Sequence, residues 1–131
     1  MNFNGEIQWR IDGGGYIPVT VVSDRIYYPT TNGEVLALNK NNGSLIWKFS
    51  VPDGIATEVQ FINGDIVFGE SQGALRFLDT GLGKEIGSFT PGRGILSTPW
   101  ISEKDNRVYF ISGEANLYAI EARWTKIPYF N

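Results

Sequence analysis

Apolar and polar positions alternate along this chain in short bursts. In "RIYYP" (25–29), "EVLALN" (34–39) and "SLIWKFSV" (44–51) the apolar residues sit two apart or run briefly, and β-branched and aromatic types are frequent. That is the period of half-buried strands. Each burst is bounded by Gly, Asn, Asp or Pro, and no window of ten residues carries a helical period. The pattern predicts an outer strand near 6–11, then strands near 17–22, 25–29, 34–39 and 44–50. A second set falls near 56–62, 65–69, 74–79 and 84–89, and a third near 96–102, 107–112 and 116–121. The tail "RWTKIPYFN" matches weakly, so the pattern assigns no path to 122–131.

The bursts recur. Moving "GEVLALNKNNGSLIW" forward by forty lands it on "GALRFLDTGLGKEIG": Gly33 meets Gly73, Leu38 meets Leu78, Asn39 meets Asp79, Gly43 meets Gly83 and Trp47 meets Gly87. Moving back by thirty-eight lays "NGSLIW" on "NGEIQW", so Trp47 meets Trp9. "RVYFISGEANLYAIE" matches "RIYYPTTNGEVLALN" at an offset of eighty-two, with two extra residues in the polar loop "SEKDN". Four strands per forty residues is the arithmetic of a propeller blade. The expected fold is all-β: four-stranded antiparallel propeller blades, about three in the chain. Blade units fall at approximately 12–50, 51–90 and 91–131, with a leading outer strand at 4–11, in one repeat domain over 1–131.

The stretch Ala37 to Trp47, "ALNKNNGSLIW", resembles the A-x-D-x-x-T-G-x-x-x-W tryptophan-docking motif of pyrroloquinoline-quinone (PQQ)-type propeller repeats. Asn39 stands for the usual Asp and Asn42 for the usual Thr, while "FLDTGLGKEIG" keeps the Asp and loses the Ala and the Trp. The resemblance implies that the Asx-Gly turn joins the third and outermost strands, and that the tryptophan leaves the outer strand to fill the gap to the next blade. Trp9 and Trp47, with Gly43 and Gly83, are then docking residues, not cofactor platforms. Large aromatics at repeat spacing are usually core.

Composition narrows the chemistry. The chain has no cysteine and no histidine, which removes disulfides, thiolate nucleophiles and the commonest general base and metal ligand. Net charge is −3 and the eleven Lys and Arg form no run, so a nucleic-acid surface is not expected. No apolar stretch approaches the roughly 20 residues of a membrane span, and "MNFNGEIQWR" lacks the basic-then-apolar order of a signal peptide. The quinoprotein dehydrogenases of the family imply a calcium ion, a quinone cofactor and a carboxylate base. Glu70, Glu114 and Asp53 are the acids available for calcium, with solvated loop acids as the plainer reading. "KNNGS" and "GLGKE" are turns before outer strands, neither a calcium loop nor a phosphate loop.

The loops between blades ("DGGGY", "PDG", "PGRG") and those after each second strand ("PTTNG", "GESQG", "ISGEA") are expected on one face, around the central channel. Tyr16, Asp53, Glu70, Arg93 and Glu114 are the candidate ligand- or partner-binding residues there. Three blades do not close a ring, and both ends are rich in aromatics. The chain is therefore expected either to sample a larger propeller or to self-associate, two copies making six blades. The expected function is a non-catalytic scaffold that binds a protein or ligand through the loop face and channel, with no cofactor. Its relatives by resemblance are extracytoplasmic, such as the lipoprotein subunit of the outer-membrane protein assembly machinery and sensor domains of stress kinases. Two alternatives stand beside it. One is a fragment of a PQQ- and calcium-dependent dehydrogenase; the other is carbohydrate binding through Trp100, Trp124 and Tyr129.

Overall fold

The computed structural model describes residues 4–123. Eleven strands and no helix lie within that span, in three antiparallel sheets. Blade 1 holds β1 (Thr20–Val22), β2 (Arg25–Thr30), β3 (Glu34–Asn39) and β4 (Leu45–Ser50). Blade 2 holds β5 (Gln60–Ile62), β6 (Asp65–Gly69), β7 (Leu75–Asp79) and β8 (Glu85–Phe89). Blade 3 holds β9 (Trp100–Ser102), β10 (Arg107–Ile111) and β11 (Leu117–Glu121). Each sheet is a meander in chain order, so every connection within a blade is a hairpin.

The hairpins follow from their turn residues. Between β5 and β6 the turn is Asn63-Gly64, both at positive φ, the left-handed pair that matches the twist of flanking strands. In blade 3 the corresponding turn spans 103–106 and absorbs the two extra residues seen in the sequence offset. The β3–β4 and β7–β8 ladders slip by one residue at the same place, between Ala37 and Leu38 and between Phe77 and Leu78. This bulge decides which way the outer strand faces. Leu45 and Ile46 both point outward and Trp47 turns in, at 8% exposure.

The innermost strands are shorter than the alternation suggests. Pro18 and Pro99 offer no ladder N–H, and in blade 2 the side chain of Thr57, not its carbonyl, accepts from the Gly69 N–H at 3.0 Å. Isolated bridges Ala56–Glu70 and Ile95–Ser112 carry the pairing upstream. The segment 6–11 forms no strand, unlike the sequence pattern. An outer strand needs a third strand beside it, and none of the described sheets presents one to these residues. Instead, Trp9 pins the segment to blade 1.

The core is two apolar clusters, each centred on one blade-to-blade contact. Tyr27, Val35, Ala37 and Trp47 of blade 1 meet Ile66, Phe68 and Leu78 of blade 2. Ile62, Val67 and Leu75 of blade 2 meet Val108 and Phe110 of blade 3, with Ala122 beside them. No helix is long and apolar enough to cross a membrane among the described residues.

Candidate functional site

The docking phrase has the same geometry twice. The Trp47 Nε1–H donates to the Thr80 carbonyl at 2.8 Å, and the Trp9 Nε1–H donates to the Lys40 carbonyl at 2.9 Å. Beneath each indole lies the glycine of the receiving turn. A Cβ on Gly83 would come within 2.4 Å of Trp47 Cδ2, and one on Gly43 within 2.6 Å of Trp9 Cε3. Both glycines also sit at positive φ (+70 and +75), so they are required twice over: by backbone conformation and by the ring above. The Asx residue builds the turn. Asp79 accepts from the Leu82 and Lys84 N–H groups, and Asn39 accepts from that of Asn41.

On the opposite rim, the second-to-third strand loops are stitched to the segments that lead into each blade. Equivalent backbone bonds run from Thr31 N–H to Gly14, Ser71 N–H to Ile55, and Gly113 N–H to Gly94. Each blade also buries one polar side chain at the end of its second strand: Thr30, Glu70 and Ser112. In blade 3 the Ser112 hydroxyl accepts from the Glu114 and Asn116 N–H groups. In blade 2 the Glu70 carboxylate does the same work with more reach. Oε1 accepts from the Ala74 N–H at 2.9 Å and Oε2 from the Asp53 N–H at 3.2 Å.

Glu70 is fully buried, so it is not an open member of the face. Its charge is met by Arg76, whose Nε lies 2.9 Å from Oε1 in an ion pair with the N–H aimed off the oxygen. Arg76 also pairs with Glu85, and its Nη2 stands 3.9 Å from Asp53. The Glu70 carboxylate, then that of Glu85, hold the guanidinium above its ordinary pKa against the opposing effect of burial. Arg93 and Glu114 come together at 3.9 Å, both with solvent access. Tyr16 is 82% exposed and stands apart from these pairs.

Tyr16 instead borders a hollow of about 280 Å³ where the lead-in segments of all three blades converge. Its wall is made by Tyr16, Ile17 and Pro18 from blade 1, Ile55 to Glu58 from blade 2, and Ile95, Leu96 and Thr98 from blade 3, with Ser71 beside them. Leu96 is 73% exposed there. The sequence reading missed Leu96 and Arg76. Arg76 did leave a signal: it stands where the other repeats carry Leu36 and Tyr118, in the same blade whose Glu70 replaces Thr30 and Ser112. Two misfits in one repeat are a paired exception.

The acids considered for calcium do not fit it. Glu70 is spent on two backbone N–H groups and Arg76, Asp53 faces Arg76, and Glu114 faces Arg93. No three potential ligands gather among the described residues. Of the aromatics considered for sugars, Trp100 is exposed and tilted against Tyr109 at 5.8 Å. Trp124 and Tyr129 lie outside the described residues.

The family model described as outer membrane protein assembly factor BamB matches residues 2–86. The BamB of Salmonella typhimurium is 29% identical over 119 residues, and that of Escherichia coli 26% over 121 residues. Each alignment covers 89% of this chain and 30% of the relative, so the chain spans about three tenths of the length of these proteins. Among solved structures, BamB from Moraxella catarrhalis shares the fold at a TM-score of 0.69 with 22% identity, over 79% of this chain and 32% of that one. The computationally designed protein Ika8 does so at the same score with 16% identity, over the same shares. With the repeats, the blades and the docking turns in place, the chain belongs to the PQQ-type propeller-repeat family described as outer membrane protein assembly factor BamB.

Proposed function

We propose that the chain is a non-catalytic propeller scaffold that binds a protein partner through its loop face and central hollow, in an extracytoplasmic compartment. The observation that carries this reading is the hollow itself. Three blades send their innermost segments to one place, and there Tyr16 and Leu96 are presented to solvent beside polar Thr57, Ser71 and Thr98. Exposed apolar groups with a polar surround are the usual makings of a recognition surface. The assembly-factor name borne by its relatives supports a role in holding other proteins and not in turning over a substrate.

A photo-crosslinking residue placed at Tyr16 or Leu96 in cells, with Ile86 on the outer perimeter as control, tests it. The expected result is a discrete product with a component of outer-membrane protein assembly at the two face positions and none at Ile86. Equal labelling at all three positions, or none, overturns the reading. We also propose no resident cofactor; addition of PQQ and calcium is expected to leave no quinone absorbance co-eluting with the protein.

A further inference from the structure

Among the described residues that wall the hollow, Glu58 is the one acid, and no base stands with it. It belongs to the lead-in of the middle blade, which has a blade packed on each side. Glu58 is half-buried, yet its carboxylate makes no ion pair or hydrogen bond among the described residues. Glu70, Glu34 and Asp79 are also withdrawn from full exposure, and each is answered: by Arg76, by Lys48 and by turn N–H groups. A carboxylate drawn partly out of water without a partner carries a cost, which an incoming cation offsets.

The rest of the wall suits an apolar stem. Ile17, Pro18, Ile55 and Leu96 offer it hydrocarbon, and Tyr16 stands exposed at the border. The backbone on either side of Glu58 is held in place. Thr57 Oγ1 accepts from the Gly69 N–H at 3.0 Å and donates to the Glu58 carbonyl at 3.2 Å, while the Val59 carbonyl accepts from the Thr20 hydroxyl. Ser71 Oγ is engaged too, accepting from the Ile55 N–H at 2.9 Å. A site fixed in this way spends little ordering itself on binding. At about 280 Å³ the hollow is smaller than the roughly 300–1,000 Å³ of sites that enclose a whole drug-sized ligand, and it suits one long side chain.

We infer that the hollow receives a lysine or arginine side chain of the protein partner, with its stem against Ile55 and Leu96 and its charged head on Glu58. A long basic side chain has both halves that the wall asks for: hydrocarbon along its length and a cation at its tip. Tyr16 is free to lay its ring against the same cation. An acidic group would meet Glu58 with no cation between them, and a wholly apolar one would seal its carboxylate away from water unpaired. The inference deepens the scaffold reading and rests on it, for it gives the chemistry of the partner's anchor.

Two measurements separate its failure from that of the scaffold reading. In the first, an end-blocked Gly-Gly-Lys-Gly-Gly peptide and its norleucine counterpart are titrated into the isotope-labelled chain. The lysine peptide is expected to shift the amide signals of Thr57, Glu58 and Leu96 and to bind roughly fivefold or more tightly than the norleucine one, as for a charge pair with solvent access. Glu58→Gln keeps the shape and should erase that preference. Equal binding of the two peptides, no shift at these amides, or a preference kept in Glu58→Gln overturns the inference. In the second, the photo-crosslinking residue at Tyr16 is carried in cells by the parent chain and by Glu58→Gln. The product is expected to fall by a similar factor in the variant, and the crosslinked partner segment to hold a lysine or arginine. An undiminished product, or a segment without a basic residue, overturns the inference and leaves the scaffold reading standing. No product in the parent chain overturns the scaffold reading instead, and the preference for a basic side chain is then decided by the titration.

Discussion

The two blade-to-blade contacts solve one packing problem in different ways. Between blades 1 and 2 the outer rim is closed by Trp47, which lies on Gly83, donates to Thr80 and tilts against Tyr27 at 6.0 Å. Between blades 2 and 3 the same position is Gly87, and a Cβ there would meet nothing within 4 Å. That contact is held further in, where Phe89, Phe110 and Tyr118 form a cluster with ring centroids 5.2–6.2 Å apart. The first contact has only the Phe49–Phe68 pair at the corresponding place. The docking tryptophan is thus a rim clamp, used where the next blade offers an Asx-Gly turn to receive it. Within the described residues blade 3 offers none, and aromatic bulk moves inward.

The largest effect is expected from breaking the clamp. Trp47→Ala removes a buried indole and should cost about 3–5 kcal/mol, as large-to-small core changes do. Gly83→Ala attacks the same contact from below and should cost about 2–4 kcal/mol, from the left-handed backbone and the collision with the indole. The double variant distinguishes a clamp from two independent defects. Once the ring is gone the new methyl has room, so the combined loss, read by chemical denaturation, should fall short of the sum by about 1 kcal/mol or more. Full additivity would mean that Trp47 and Gly83 do not act as one contact.

A smaller, pH-dependent difference should separate the two contacts. Tyr27 is buried beside Trp47, and burial raises its hydroxyl pKa against the lowering influence of Arg25. The equivalent residue at the second contact is Val67, which does not titrate. A phenol whose folded pKa is raised gives up stability only on the alkaline side. The unfolded chain ionises near pH 10, and stability is lost from there upward through the higher folded value. The melting temperature should therefore fall above pH 10, and Tyr27→Phe should flatten part of that fall while changing little at pH 8. An unaltered alkaline slope in Tyr27→Phe would show that Tyr27 does not carry it.

The legibility of the chain divides along the same lines. Strands β2 to β4 and β6 to β8 were readable because their sides alternate and their turns carry Asn, Asp and Gly, and the insertion in "SEKDN" was placed by offset alone. The rim clamp was readable because a rare residue recurs at repeat spacing over a fixed turn. The segment 6–11 was not, since alternation reports a strand's faces and says nothing of whether an edge is present to pair with. The surroundings of the candidate face residues were not legible. Loop acids and solvated acids look alike in sequence, and whether Glu70 points into solvent or into its own turn depends on Arg76, six positions along and on the next strand. Leu96 was missed because an apolar residue in an apolar stretch gives no sign of exposure until the blades around it are in place.

The smallest expected effect is also the most discriminating test of the rim-clamp argument. Gly87→Trp restores the motif's tryptophan to blade 2 at a site with open space around its Cβ and an ordinary strand conformation. Were the tryptophan stabilising through bulk alone, this change should add a substantial fraction of what Trp47→Ala removes. The clamp has two parts, however, and the second is a turn with a glycine under the ring and a carbonyl for the indole N–H. By the repeat offset the receiving turn Asp79-Thr80-Gly81-Leu82-Gly83 falls on Glu121-Ala122-Arg123-Trp124-Thr125, which carries neither the Asx residue nor the glycine. A tryptophan at 87 therefore faces a sequence without the glycine and Asx residue of a receiving turn, and denaturation should move by no more than about 0.5 kcal/mol either way. A gain of about 2 kcal/mol or more would show that any neighbouring blade suffices to seat the ring. The Asx-Gly turn would then be a local hairpin requirement, not half of a contact.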